Sequence, residues 1–212
     1  MPLFGLSYCH IIILSPPGNI VLTAGDDRIL KVYNLDDASL RWALPGHKTP
    51  ITSIYANSKQ GGAAITASED GEVILWDVYL GARVYNLTGL NAPILALQDC
   101  ANYTAASSIH SVICIWDKSN GRLLHTIQKA SESHCGPLAV IAESLLISAG
   151  RETLNLWDLA SGELIHSVVL PVTNNLEGIS KLSVVNNGVI LATVGADIHA
   201  VVFPKLLGRK YE

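Results

Sequence analysis

Charge is scarce in this 212-residue chain, where 15% of residues are Asp, Glu, Lys or Arg against 49% hydrophobic. That balance excludes a disordered chain, which lacks the apolar residues to offset the entropy of ordering, and it provides for a large core. A basic excess is also missing. The net charge is −4, opposite in sign to the footprint of a general nucleic-acid binder, and the 14 Lys and Arg leave room for a local basic patch alone. No apolar run approaches the roughly 18 residues that would span a bilayer. The most apolar early stretch, Ile11 to Leu14, is ended by Pro16 and Pro17, and Met1 to Ser7 lacks the basic and apolar segments of a secretory signal. By itself such a chain is expected to be soluble. Cys9, Cys100, Cys114 and Cys135 show no CxxC spacing, and His134 beside Cys135 falls far short of a metal site, so reduced thiols and no metal are expected. The sequons Asn86-Leu87-Thr88 and Asn102-Tyr103-Thr104 are read as unmodified, since such triplets arise by chance in strand-rich sequence. A phosphate loop and a nucleophile motif are absent as well.

What is present is repetition. Ser68 to Val78 reads SEDGEVILWDV, a polar turn and then a strand of bulky residues ending in Trp76 and Asp77. Related phrases stand at Leu30 to Leu35 (LKVYNL), Ile113 to Lys118 (ICIWDK) and Leu154 to Leu159 (LNLWDL), with a degenerate copy at Ile198 to Pro204 (IHAVVFP). Tyr33, Trp76, Trp116 and Trp157 follow one another at 43, 40 and 41 residues. Strand-like runs precede each phrase in a constant order. The inner ones are Tyr8 to Ile13, Ile51 to Tyr55, Ile94 to Leu97, Leu138 to Ile141 and Leu182 to Val185. Next come Ile20 to Ala24, Ala63 to Ser68, Tyr103 to Ser107, Leu145 to Ala149 and Val189 to Val194. An outer run follows the phrase at Leu40 to Leu44, Val84 to Leu87, Leu123 to Ile127 and Leu164 to Val169, after turn signals at Gly81, Asn120-Gly121 and Ser161-Gly162.

This period and phrase resemble the WD40 repeat, each copy a four-stranded antiparallel blade of a β-propeller. The fold expected is therefore all-β, about five blades over residues 1–204 with a C-terminal tail over 205–212, and the blade count implies part of a larger propeller. In WD40 proteins a histidine after glycine, a Ser or Thr on the second strand, an Asp in the turn and the tryptophan form a buried hydrogen-bonded chain. The resemblance assigns those roles to His47 (after Gly46), Thr66, Asp70 and Trp76. Tyr33, Trp116 with Asp117, and Trp157 with Asp158 carry the blade signature elsewhere. His110 and Arg151 replace the turn Asp in the third and fourth copies, which lack a Gly-His pair and should rely on apolar packing. Asp197 is read in a turn of the last copy. A catalytic reading of His47 with Asp70 and the Thr66 hydroxyl is the remote alternative, because the repeat accounts for these residues and no oxyanion-hole motif accompanies them.

The succession GHKTPITSIY, SEDGEVILWDVYLGARV, ICIWDKSNG with its trailing HTIQ, LLISAG, LNLWDLASGEL and AVVFP is more specific. From Tyr8 to Pro204 it resembles the C-terminal WD40 region of the SCAP family, the sterol regulatory element-binding protein cleavage-activating proteins. That resemblance implies a non-catalytic, cofactor-free scaffold. In such proteins N-terminal membrane helices carry a sterol-sensing segment, and a cytosolic propeller holds the C-terminal regulatory region of a sterol regulatory element-binding protein precursor. When sterol is low the pair moves from endoplasmic reticulum to Golgi, where proteolysis releases the transcription factor. This chain corresponds to the holding part, on the cytosolic face of those membranes, with no sterol site of its own. A generic WD40 adaptor in a ubiquitin ligase or trafficking complex is the alternative. Six cations are candidates for partner contact. Arg28, Lys48 and Arg151 are placed on loops of one face, and Arg83, Lys118 and Arg122 near the loops that open the outer strands.

Overall fold

The computed structural model describes residues 9–14, 19–56, 62–100, 102–131, 136–142, 144–170, 178–186 and 189–203. Every regular element among them is a β-strand of five to eight residues. Short runs rich in Val, Ile, Leu and aromatics, cut every few residues by Gly, Asp, Asn and Ser, suit pleated strands and are too short for stable helices. The first sheet runs β1 (Cys9–Leu14), β2 (Ile20–Gly25), β3 (Ile29–Asn34), β4 (Leu40–Pro45). The second runs β5 (Ile51–Ala56), β6 (Ala63–Ser68), β7 (Val73–Asp77), β8 (Ala82–Leu87). The third is β9 (Ile94–Asp99), β10 (Tyr103–Ser108), β11 (Ile113–Asp117), β12 (Leu123–Ile127), and the fourth β13 (Leu138–Ala142), β14 (Leu145–Ala149), β15 (Thr153–Asp158), β16 (Leu164–Val169). A three-stranded fifth sheet holds β17 (Ile179–Asn186), β18 (Val189–Val194) and β19 (Asp197–Val202). Strands adjacent in sequence are adjacent in each sheet, the meander of a propeller blade.

One register recurs. The phrase aromatic lies opposite the second residue of the strand before it: Tyr33 opposite Val21, Trp76 opposite Ala64, Trp116 opposite Thr104, Trp157 opposite Leu146. On its other side the ladder slips at that same residue in all four sheets, between Val32 and Tyr33, Leu75 and Trp76, Ile115 and Trp116, and Leu156 and Trp157. A bulge repeated at one place sharpens the local twist of each outer strand. The fifth sheet departs from the sequence reading in two ways. β17 starts at Ile179, which is buried and pairs with Val194, and Asp197 opens β19 instead of standing in the turn, because Gly195 and Ala196 suffice to close that hairpin. Cys135, Pro204 and the tail at 205–212 lie outside the described residues.

The chain divides into two compact units, Met1–Leu97 and Gln98–Glu212. In the first, Leu22, Leu30 and Val32 pack with Ile51, Ile74 and Trp76, so one face of the first sheet and one face of the second make a common core. In the other, Ile147, Leu154 and Leu156 of the fourth sheet pack with Ile190, Val201 and Phe203 of the fifth. Each such side chain, fully buried, stabilises by about 1.5–3 kcal/mol. A second device is visible in both units. Trp42 on β4 covers Gly81, where an added Cβ would lie 2.4 Å from its ring, and His125 on β12 covers Gly162, at 2.7 Å. Both glycines have positive φ, 66° and 73°. Only glycine combines that backbone with so close an approach.

Candidate functional site

The turn end of the second sheet carries the polar chain. β4 runs into Gly46, whose missing side chain leaves room for the Trp76 ring; a Cβ there would sit 2.9 Å from it. His47 follows, 7% exposed, with Thr66 on β6 fully buried behind it. The Trp76 indole N–H donates to Thr66 Oγ1 at 2.8 Å, and Thr66 Oγ1 lies 2.6 Å from His47 Nε2. The direction of the Thr66–His47 bond follows the imidazole tautomer: a proton on Nδ1, the nitrogen facing Glu72, leaves Nε2 to accept from the Thr66 hydroxyl. Nδ1 faces Glu72 Oε2 at 3.3 Å without a well-formed hydrogen bond. The carboxylate opposite the ring is thus Glu72 and not Asp70. Asp70, with a shorter side chain, turns back on its own loop, accepting from Ser68 Oγ at 2.7 Å and the Glu72 N–H at 3.2 Å. Burial pushes His47 down to about 4, with the charge of Asp70 opposing, so the ring is neutral near pH 7. Burial, helped by Asp70, pushes Glu72 up against the pull of Lys48 and Arg83. Burial also acts to raise Asp70, but the bonds from Ser68, Glu72 and Thr49 outweigh it and hold that carboxyl below its ordinary value. A hydroxyl with no exposed surface, as Thr66 has, does not meet a substrate.

The other sheets keep parts of this arrangement. Ala106 stands in β10 where Thr66 stands in β6, and Trp116 is fully buried. The fourth sheet does not rely on apolar packing alone. Trp157 Nε1 donates to Ser148 Oγ at 2.8 Å, and Asn155 donates to Ala130 O at 2.8 Å while accepting from Ser167 Oγ at 2.7 Å. A second-strand serine therefore receives the indole without any Gly-His pair. The aspartates after the tryptophans share a role that the phrase does not announce. Asp77 accepts from the N–H of Tyr79 and Leu80, Asp117 from Ser119 N–H and Oγ, and Asp158 from the Ala160 N–H, all between 2.6 and 2.9 Å. Each caps the turn that leads to the outer strand. His110 is exposed in its turn. Cys100 and Cys114 are buried free thiols, and burial pushes Cys100 up to about 12.

The six cations separate into two kinds. Arg28, in the β2–β3 turn, is exposed and donates from Nη1 to Lys48 O at 3.3 Å; Lys48 is exposed on the loop before β5. The turn after β6 is tied to that loop by Glu69 N–H on Pro50 O at 3.1 Å. Asp26 and Asp27 share the turn of Arg28, Glu69 and Asp70 stand in the turn tied to the Lys48 loop, and Lys31 takes Asp27 at 2.6 Å, so these loops are mixed in sign. Arg151 is exposed in the corresponding turn of the fourth sheet, in the other unit. Arg83 is exposed on β8 and Arg122 just ahead of β12. Lys118 is of the second kind. Its Nζ meets Asp99 Oδ2 at 2.5 Å, with the side chains 15% and 2% exposed, which makes it an internal ion pair and not a surface cation. Among the described residues no helix is long and apolar enough to cross a membrane.

Repeated antiparallel sheets, three of them closing on a buried tryptophan followed by a turn-capping aspartate, mark a WD40 β-propeller, a protein-binding scaffold. The family model described as SCAP Beta-propeller matches residues 10–202, and the chain belongs to that family. It is 29% identical over 190 residues to the sterol regulatory element-binding protein cleavage-activating protein of Xenopus laevis, covering 89% of this chain and 14% of that protein. Autophagy-related protein 16 of Arabidopsis thaliana is 23% identical over 199 residues, 91% of this chain and 38% of its own length. Small ribosomal subunit protein RACK1 of Caenorhabditis elegans is 31% identical over 99 residues, 46% of this chain and 30% of its own. The chain thus spans well under half the length of each of these relatives.

Proposed function

We propose that this chain is the holding part of a SCAP-like escort protein, binding the C-terminal regulatory region of a sterol regulatory element-binding protein precursor. The family match over residues 10–202 carries the reading. Rigid sheets presenting short loops suit it, since loops on such scaffolds commonly carry contacts. In this reading residues 1–204 are the propeller region, and the complex works at the cytosolic face of the endoplasmic reticulum and Golgi membranes through the rest of the escort protein. His47, Thr66 and Trp76 stiffen the second blade, with the Glu72 carboxylate facing the far side of the ring. Of the six cations, Arg28, Lys48, Arg151, Arg83 and Arg122 remain candidates for the partner's acidic groups, while Lys118 serves differently.

The test is binding of the purified chain to the cytosolic regulatory tail of the precursor at low and physiological salt. Saturable, salt-weakened binding supports the reading. Absence of binding at both salts would move the chain to the generic adaptor reading, which the similarity to autophagy-related protein 16 and RACK1 keeps in view.

A further inference from the structure

The residue two places after the phrase aromatic makes one backbone bond in four sheets: Leu35 N–H to Asn19 O, Val78 to Gly62, Lys118 to Asn102 and Leu159 to Ser144, at 2.8–2.9 Å. Val78 and Leu159 have no exposed surface at that place. The inner strand of the second sheet, β5, ends in Ala56, packed against the core that holds Val78, whereas β9 ends in Asp99. The third sheet has thus exchanged an apolar contact for the Lys118–Asp99 pair, with Thr104 Oγ1 donating a second bond to Asp99 at 3.1 Å. A buried ion pair is seldom more stabilising than apolar residues of similar volume, so holding the sheet together does not account for it.

Beside the pair opens a cleft of about 410 Å³, lined by Asn102, Tyr103, Asp117, Lys118 and Ser119. The Lys118 charge is taken up by Asp99, and Asp117 is held below its ordinary range by Ser119 and Asn120. Asp99, behind the lining, neutralises Lys118, so the carboxylate of Asp117 leaves the cleft one negative charge. An entering anion would set a third negative group against a single ammonium, whereas an entering cation restores balance. Tyr103 supplies an aromatic wall, and Asn102 and Ser119 supply polar atoms, a combination that suits a planar, weakly hydrated guanidinium with several donors. We propose that this cleft receives an arginine side chain of the bound protein partner. The assignment rests on the protein-binding reading above and names the chemistry of one contact.

Nα-acetyl-argininamide titrated into the full chain, followed by backbone amide shifts, tests the cleft apart from any partner. The expected result is saturable shifts at Asn102, Tyr103 and Ser119, with none from Nα-acetyl-glutamate amide. Asp117→Asn should weaken the effect about tenfold, and Tyr103→Leu should weaken it as well. The turn accepts asparagine there, as Asn34 caps the same turn in the first sheet by accepting from the Asp36 N–H at 3.4 Å. An equal response to the glutamate probe, no saturable shift, or an unchanged Asp117→Asn variant would overturn the assignment. Should the precursor tail bind while argininamide does not, the cleft assignment falls and the proposed function stands. The converse result keeps the cleft and removes that partner.

Discussion

At the scale of single residues, His47 decides more than its neighbours, because it is a neutral ring with a buried hydroxyl on one nitrogen and a carboxylate facing the other. His47→Ala leaves Thr66 without its imidazole partner and opens a cavity beside Trp76, so a loss of about 1–3 kcal/mol is expected. Calorimetry checks it, and an unchanged Tm would remove His47 from the network. The ring also imposes a pH dependence. Its folded pKa of about 4 lies below the 6.5 of an exposed imidazole, so the unfolded chain takes up the proton first. The contribution is complete above about pH 6.5, falls as pH drops from there, and is exhausted below about pH 4. Glu72, shifted up, opposes this near its own ordinary range. Denaturant titrations across pH 7 to 4 should therefore show wild type losing more stability than His47→Gln, by up to about 3 kcal/mol. Parallel curves for the two proteins would refute the buried neutral ring.

At the scale of elements, the outer strand and the following blade's turn act together. Trp42 and His125 each stand nine residues after the phrase aromatic, as do Tyr85 and His166, while Gly81, Gly121 and Gly162 stand five after it. Gly81→Ala forces a Cβ into the Trp42 ring and a side chain into a left-handed backbone, an expected cost of about 2–4 kcal/mol. In the background of Trp42→Ala the same substitution should cost roughly half as much, since only the backbone strain remains. Equal costs in the two backgrounds would mean that ring and glycine are not coupled. The Lys118–Asp99 pair allows a comparable cycle. Lys118→Leu alone strands a carboxylate that is 5% exposed and should cost about 3–5 kcal/mol, whereas Lys118→Leu with Asp99→Ala copies the neighbouring sheets and should restore most of it. Thermal or urea unfolding of the three variants decides. A double variant as unstable as the single one would show that the pair is needed for folding.

At the scale of the whole molecule, the fold was readable because its strands obey a simple rule. Short apolar runs recur between turns that carry Gly, Asp or Asn, and each phrase repeats the register of the last, so the buried runs Ala63–Ser68 and Leu145–Ala149 and the alternating Val189–Val194 emerge from pattern alone. The polar contacts were less readable. Asp70 and Glu72 share one turn, and only side-chain reach decides which meets His47. Lys118 reads as a surface cation until β9 brings Asp99 beside it. Nor does a count of cations reveal that the turn carrying Arg28 and the turn tied to the Lys48 loop also hold Asp26, Asp27, Glu69 and Asp70. That last arrangement bears on the partner. With the net charge at −4 and no one-sign patch around Arg28 and Lys48, attraction for an acidic tail is local and short in range. Reversing Arg28 and Lys48 to Glu should then slow association several-fold at low salt and little at physiological salt, with dissociation nearly unchanged. Reversing Arg83 and Arg122 gives the independent comparison. Stopped-flow binding of the precursor tail measures both, and if neither reversal alters the rates, these cations are solvated surface charges and the contact energy lies with uncharged anchors.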